Sequence, residues 1–318
     1  MRKIIGIGET VFDIIFRNGQ PTAGVPGGST FNALISLGRT LGVRYPDLPI
    51  LMITETGDDH IGDVIVDFMR RNHVSTAGVT RNANTQSHIS LAFLNDRNDA
   101  QYEFYKDHAN ARLNADKVAR IGFASDDVVL FGSFFAINPA IRDYTRSLLT
   151  AAHQAGSILY YDINFRQSHV KDIPDVMDNI TENYRLSDIV RGSAEDFGYL
   201  YGTTDAAEVY ERYIRKHCPN FICTNGGSSI EVFCPAGHFS FKVPRVRTVS
   251  TIGAGDNFNA GIVFALVRYC FFKNGSLKPI SLNEAAWNLL VQRTAKKFSA
   301  NVCRSIYNYV DEDFVNKL

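Results

Sequence analysis

Apolar residues along the chain fall into two alternating spacings. Short, nearly unbroken apolar runs at Ile4–Gly8, Ile50–Thr54, Val128–Phe131, Ile158–Asp162, Ile189–Val190 and Phe221–Thr224 have the length of strands, and their composition predicts burial on both faces. Between these runs the period changes. Ile61, Val64, Ile65, Phe68 and Met69 recur at helical spacing and predict one core-facing stripe, while Ala285, Leu289, Gln292 and Lys296 trace the wet-to-dry edge of another helix. Strands alternating with amphipathic helices predict an α/β protein whose mostly parallel central sheet is flanked by helices. No repeat of fixed period and no low-complexity linker interrupts the pattern, so residues 1–318 read as one domain.

One region departs from the alternation. Ser87–Leu94 and Gln101–Lys106 read as two strands joined by the polar turn Asn95-Asp96-Arg97-Asn98-Asp99. With the strand-like Ile14–Phe16 they predict a small extra sheet, drawn from segments near 10–20 and 86–108. By its residues alone this is an ordinary surface hairpin.

Composition narrows the function. A chain of 318 residues with 45% apolar content can bury a full core. Its formal net charge is zero and no Lys/Arg cluster stands out, so a nucleic-acid partner is not expected and a small molecule is. Cys218, Cys223, Cys234, Cys270 and Cys303 form no C-x-x-C pair and share no metal-ligand spacing with histidine, which predicts buried thiols in a reducing compartment. The strand-like Ile4-Ile5-Gly6-Ile7-Gly8 leaves no room for a signal peptide before it. The longest apolar stretch, Ile262–Phe272, is broken by Arg268 and too short to span a bilayer. The expectation is a cytoplasmic protein with no membrane partner. Other catalytic signatures are missing: there is no G-x-x-x-x-G-K-[ST], Gly6-Ile7-Gly8 lacks the third glycine of a dinucleotide fingerprint, and no H-E-x-x-H is present.

Two segments carry candidate chemistry. In Thr251-Ile252-Gly253-Ala254-Gly255-Asp256, two glycines bracket an alanine and deliver an aspartate to the start of an apolar helical run. Small residues let successive N–H groups converge on a phosphate at a helix N-terminus, where the macrodipole favours negative charge. Asp256 then stands beside the group being moved, although an aspartate there can also be a simple N-cap. In Pro26-Gly27-Gly28-Ser29-Thr30-Phe31-Asn32-Ala33, paired glycines permit close backbone approach and Asn32 offers a donor and an acceptor to a hydroxylated ligand.

Together these segments resemble the two signatures of the ribokinase-like (PfkB) sugar kinase family. Three further landmarks follow the family's order: Gly57-Asp58-Asp59-His60-Ile61-Gly62, Asp162-Ile163-Asn164-Phe165-Arg166 and Thr224-Asn225-Gly226-Gly227. The resemblance implies a three-layer α/β fold whose small sheet is a lid over the sugar, often with a dimer contact. It implies ATP as donor with Mg²⁺, and a sugar as acceptor. By the same resemblance Asp256 is the base, with the amides of Gly253, Ala254 and Gly255 as anion hole. Asp13, Gly28 and Asn32 would bind sugar hydroxyls. Arg166 and Tyr105-Lys106 resemble substrate contacts of fructokinases and 2-keto-3-deoxygluconate kinases. Thr224 and Gly226 would lie beside the phosphates or ribose, Asn301 would border the adenine, and Glu195 would serve the metal.

Two positions depart from the family pattern. Where members carry N-x-x-E, this chain reads Gly192-Ser193-Ala194-Glu195, so the asparagine is lost and the glutamate kept. Six residues before Asp256 stands Ser250 in place of the aspartate that helps bind a monovalent cation, so potassium activation is not expected. The leading expectation is an ATP-dependent ketose kinase, fructose first. A 2-keto-3-deoxygluconate kinase, a ribokinase and a nucleoside kinase are the alternatives within the family, and a non-catalytic sugar-binding regulator the alternative outside enzymes.

Overall fold

A computed structural model describes residues 2–95, 100–105, 113, 118–271 and 282–318. The chain divides into two compact units, Arg2–Gly122 with Val246–Phe264 and Lys297–Leu318, and Phe123–Arg245 with Ala265–Lys296.

The first unit holds seven strands: β1 (Ile4–Ile7), β2 (Val11–Arg17), β3 (Gln20–Gly27), β4 (Ile50–Gly57), β5 (Val79–Asn82), β6 (Ile89–Leu94) and β7 (Ala100–Tyr105). β1, β4 and β5 pair in parallel. Ile4, Ile5, Ile7, Met52 and Ile53 are fully buried, as unbroken apolar runs require. Helix α1 (Ser29–Leu37) packs on β1 and β4 and is buried at nearly every position. In α2 (His60–Arg71), Asp59 caps the N-terminus by accepting from the Gly62 amide at 2.7 Å. Its buried stripe is Gly62, Ile65, Val66 and Met69. Val64, expected on that stripe, is 40% exposed, because the buried stripe is turned toward Gly62 and Val66 and leaves Val64 on the outer side. Burial would push the Asp59 carboxyl up, but donors from the Ser87 backbone and hydroxyl, the Gly62 amide and the Arg81 charge bring it below the ordinary value.

The other strands of this unit form a four-stranded sheet in the order β3-β2-β6-β7. The expected hairpin is β6 and β7, antiparallel with Ile89 opposite Tyr105. Of its expected turn, residues 96–99 lie outside the described set, as does Lys106. β3 was not expected. Its sequence, Gln20-Pro21-Thr22-Ala23-Gly24-Val25-Pro26-Gly27, carries two prolines, tolerated because β3 is an edge strand.

The second unit holds β8 (Val128–Gly132), β9 (Ile158–Asp162), β10 (Ile189–Ser193), β11 (Phe221–Asn225), β12 (Ser229–Cys234) and β13 (Gly237–Lys242). β8 to β11 are parallel, joined by helices α3 (Arg142–Gln154) and α4 (Ile173–Leu186); β12 and β13 continue antiparallel. Helix α5 (Ala194–Tyr201) follows β10 directly. Among the described residues no helix is long and apolar enough to cross a membrane.

Candidate active site

In the first unit, two glycine turns aim two helix N-termini. Helix α6 (Ala254–Ala265) begins after Gly253, whose φ is 75° and whose Cα lies so close to Asn308 that a Cβ would stand 2.9 Å from the Asn308 Cβ. Only glycine suits both the dihedral and the space. Helix α1 begins after Gly28 at φ 121°, where a Cβ would run into the Glu9 carbonyl oxygen. The two helices meet at Asp256. The Ser29 hydroxyl donates to its Oδ1 at 2.8 Å and the Asn32 amide to its Oδ2 at 2.8 Å. Beneath them Ser36 donates to Asn257 Oδ1. Asn257 Nδ2 donates to the carbonyls of Gly253 and Asn308 at 2.9 and 2.8 Å. A carboxylate in the first turn of a helix is held by the dipole, and two donors fix both of its oxygens.

Asp13 lies near the same helix start. It is buried on β2, opposite Ser90 in register, and the Ser90 hydroxyl donates to its Oδ1. Its Oδ2 rests against Gly27, where any Cβ would collide with it. Asn32 is buried, and its Oδ1 has no hydrogen-bond partner among the described residues. An acceptor left unmatched in a buried place suits a hydroxylated ligand. Asp13, Gly28, Asn32 and Asp256 are therefore brought together. Of the expected anion-hole amides, that of Ala254 donates back to the Thr251 carbonyl at 3.2 Å. Tyr105 ends β7 with 58% of its surface exposed, outside this hydrogen-bonded cluster. Asn301 is occupied elsewhere, its Nδ2 donating to Asp311 at 2.7 Å and its Oδ1 accepting from the Asp311 amide at 3.1 Å. Ser250 is buried, and its hydroxyl accepts from the Ile252 amide at 3.1 Å. Ser29 was missed in the sequence, and its position at the first residue of α1 was the available signal.

The second unit places a charged set at the carboxyl ends of its parallel strands. Arg191 and Asp162 are register partners on β10 and β9, and Ser193 pairs with Thr224 on β11. Arg191 donates through Nη1 to Asp162 Oδ1 at 2.9 Å and through Nη2 to Thr224 Oγ1 at 2.7 Å. Arg191 and Asp162 are 6% and 2% exposed. Ser193 caps α5 in a reciprocal box with Asp196. Glu195, on the first turn of α5, is exposed and accepts from the Tyr199 hydroxyl at 2.8 Å. Among the described residues no three acidic, His or Cys side chains gather to hold a metal. Glu195 presents one exposed carboxylate there, and its Oε1 is the oxygen that accepts from Tyr199. Gly192 has no room for a side chain, since a Cβ there would lie 2.5 Å from the ring of Phe197. Arg166 is exposed after β9, and its charge acts on Asp196. Gly226 adopts φ 49° in the exposed β11–β12 turn.

Burial pushes the Asp196 carboxyl up to about 6, against the opposing pull of Arg191, the Ser193 amide and Arg166, and with Asp162 adding to the rise. Between about pH 4 and 6 the folded chain keeps a proton that the unfolded chain has released, so this carboxyl's stabilisation is lost as pH rises through 6. Asp196→Asn keeps an acceptor for the Ser193 amide and removes the titration. Relative to wild type it is expected to gain on the order of 3 kcal/mol from pH 4 to pH 7.5 in urea unfolding. Parallel stability curves for the two proteins would remove the assignment.

Solved structures with the same architecture define the class. Aminoimidazole riboside kinase from Salmonella enterica, complexed with aminoimidazole riboside and an ATP analog, superposes at TM-score 0.80 with 20% identity over 99% of both chains. Fructokinase from Vibrio cholerae O395, in a form with fructose, ADP and calcium bound, does so at TM-score 0.80 and 18% identity over 100% of this chain and 98% of that one. The fold is the ribokinase-like α/β fold, a large mostly parallel sheet with helices plus a smaller sheet.

The pfkB family carbohydrate kinase profile matches residues 1–280, and the chain belongs to that family. It is a phosphotransferase acting on a sugar. Fructokinase of Rhizobium leguminosarum bv. trifolii is 28% identical over 273 residues, 83% of this chain and 79% of that protein. Probable fructokinase-2 of Arabidopsis thaliana is 26% identical over 248 residues, 76% and 72% of the two.

Proposed function

We propose that this protein transfers the γ-phosphate of ATP to a hydroxyl of a ketose, fructose above others. The observation that carries the reading is the Asp256 carboxylate, seated in the first turn of α6 and gripped by Ser29 and Asn32 of the other glycine-led helix. Asp256 takes the proton of the attacking hydroxyl, while the amides of Gly253 and Gly255 stabilise charge on the moving phosphate, joined by that of Ala254 once it leaves the Thr251 carbonyl. Asp13 and Asn32 Oδ1 accept from sugar hydroxyls, and Arg166, Tyr105 and Lys106 complete the acceptor contacts. Thr224 and Gly226 serve the nucleotide, and Asn301, its amide group paired with Asp311, borders the base without bonding to it. Glu195 would offer a protein oxygen to Mg²⁺ brought by the triphosphate, which would supply charge neutralisation there.

The four-stranded sheet supplies the lid in this reading. Its face opposite Asp13 carries Phe12, Ile14, Phe16, Ile89, Leu91 and Phe93, all half-buried, with Phe16 and Phe93 stacked at 4.9 Å. That apolar face supports pairing with a second copy of the chain. The fructokinase names of the relatives favour fructose, and the riboside kinase neighbour makes a nucleoside the acceptor to test against it. Phosphate transfer from ATP should be measured with fructose, ribose, 2-keto-3-deoxygluconate and adenosine. Fructose is expected to have the highest kcat/KM. A higher value for another acceptor replaces fructose with that acceptor, and no turnover with any of them favours a sugar-binding regulator.

A further inference from the structure

Arg191 belongs to none of the family landmarks quoted above, yet it is the best-buried cation of the second unit's strand-end set. Its guanidinium spans three adjacent parallel strands, from the Asp162 carboxylate on β9 to the Thr224 hydroxyl on β11. A guanidinium has donors only. Because Arg191 donates to Thr224 Oγ1, the threonine oxygen is an acceptor in that bond and its own proton must point elsewhere. Thr224 is half-buried at the end of its strand, and the exposed Asn225-Gly226-Gly227-Ser228 turn follows it, so the free direction of that proton is outward. Asp162 anchors the other end of the guanidinium and Ser193 and Asp196 cap the helix beside it, so the fork cannot turn away without leaving buried charge unmatched.

We propose that Arg191 is a positioning residue for nucleotide phosphate: it fixes the Thr224 hydroxyl as an outward donor and polarises it toward an anionic oxygen. This rests on the reading that Thr224 faces the nucleotide. The consequence is chemical selectivity, since a hydroxyl locked as a donor favours phosphate and gains nothing from the uncharged part of the ligand.

The test is a cycle of variants read by calorimetric binding of MgATP and of adenosine, together with KM values for both substrates. Thr224→Val is expected to weaken MgATP binding about tenfold. Arg191→Lys keeps the charge facing Asp162 but loses the fork, and is expected to weaken MgATP about fivefold while leaving adenosine binding and the sugar KM unchanged. In the Thr224→Val background, Arg191→Lys should add less than about twofold, because the interaction it feeds is already gone. Should Arg191→Lys not fold, the pair Asp162→Asn with Arg191→Met leaves no lone buried charge and serves the same cycle. Thr224→Ser should recover wild-type affinity. Independent, multiplying losses, or unchanged MgATP affinity in a folded Arg191 variant, overturn the proposal while leaving the kinase reading intact. Failure of the wild-type protein to bind MgATP at all overturns both.

Discussion

Asp256→Asn is expected to lower kcat by about 10²–10⁴ while the sugar KM stays within about threefold of wild type. The local geometry explains why the loss should be confined to the chemistry. Asn32 donates to Oδ2, so a carbonyl oxygen in that place accepts as before. The Ser29 hydroxyl donates to Oδ1, and a hydroxyl can rotate and accept from an amide nitrogen placed there. The substituted side chain therefore keeps both neighbours and the start of α6, and loses only the ability to take a proton. Steady-state kinetics with fructose and ATP varied in turn decide it. A kcat within tenfold of wild type would show that proton removal does not pass through this carboxylate.

The second large effect is expected on binding. Asp13 is buried beside Gly27, with Ser90 holding one of its oxygens. Asp13→Asn leaves an acceptor for Ser90 and turns the other position from a charged acceptor into a donor. A sugar hydroxyl then loses a charge-assisted bond worth roughly 1.5–3 kcal/mol, and the sugar KM should rise about 10- to 100-fold. The ATP KM should be nearly unaltered. A rise in the ATP KM with no change for the sugar would move Asp13 out of the acceptor site.

Local sequence signals exposed the parallel strands and both glycine-led helix starts, because unbroken apolar runs and small-residue turns are properties of single segments. β3 escaped, since an edge strand needs no apolar alternation and accommodates Pro21 and Pro26 without breaking a ladder on its open side. Arg191 with Asp162 escaped for a different reason. The two lie 29 residues apart and become neighbours only through the register of β9 and β10, which no short pattern encodes. Ser29 sat inside a quoted motif, but its partner was 227 positions away. Val64 misled because helical spacing marks a face without fixing its edge by one residue.

Gly192 and Phe197 are coupled by packing, so neither can change alone without cost. A longer side chain at 192 runs into the ring of Phe197, at a cost of about 1–3 kcal/mol for overpacking. Shrinking Phe197 first empties a fully buried site, at about 3–5 kcal/mol. Either single exchange therefore weakens the fold, so a side chain at 192 is accommodated only together with a smaller residue at 197.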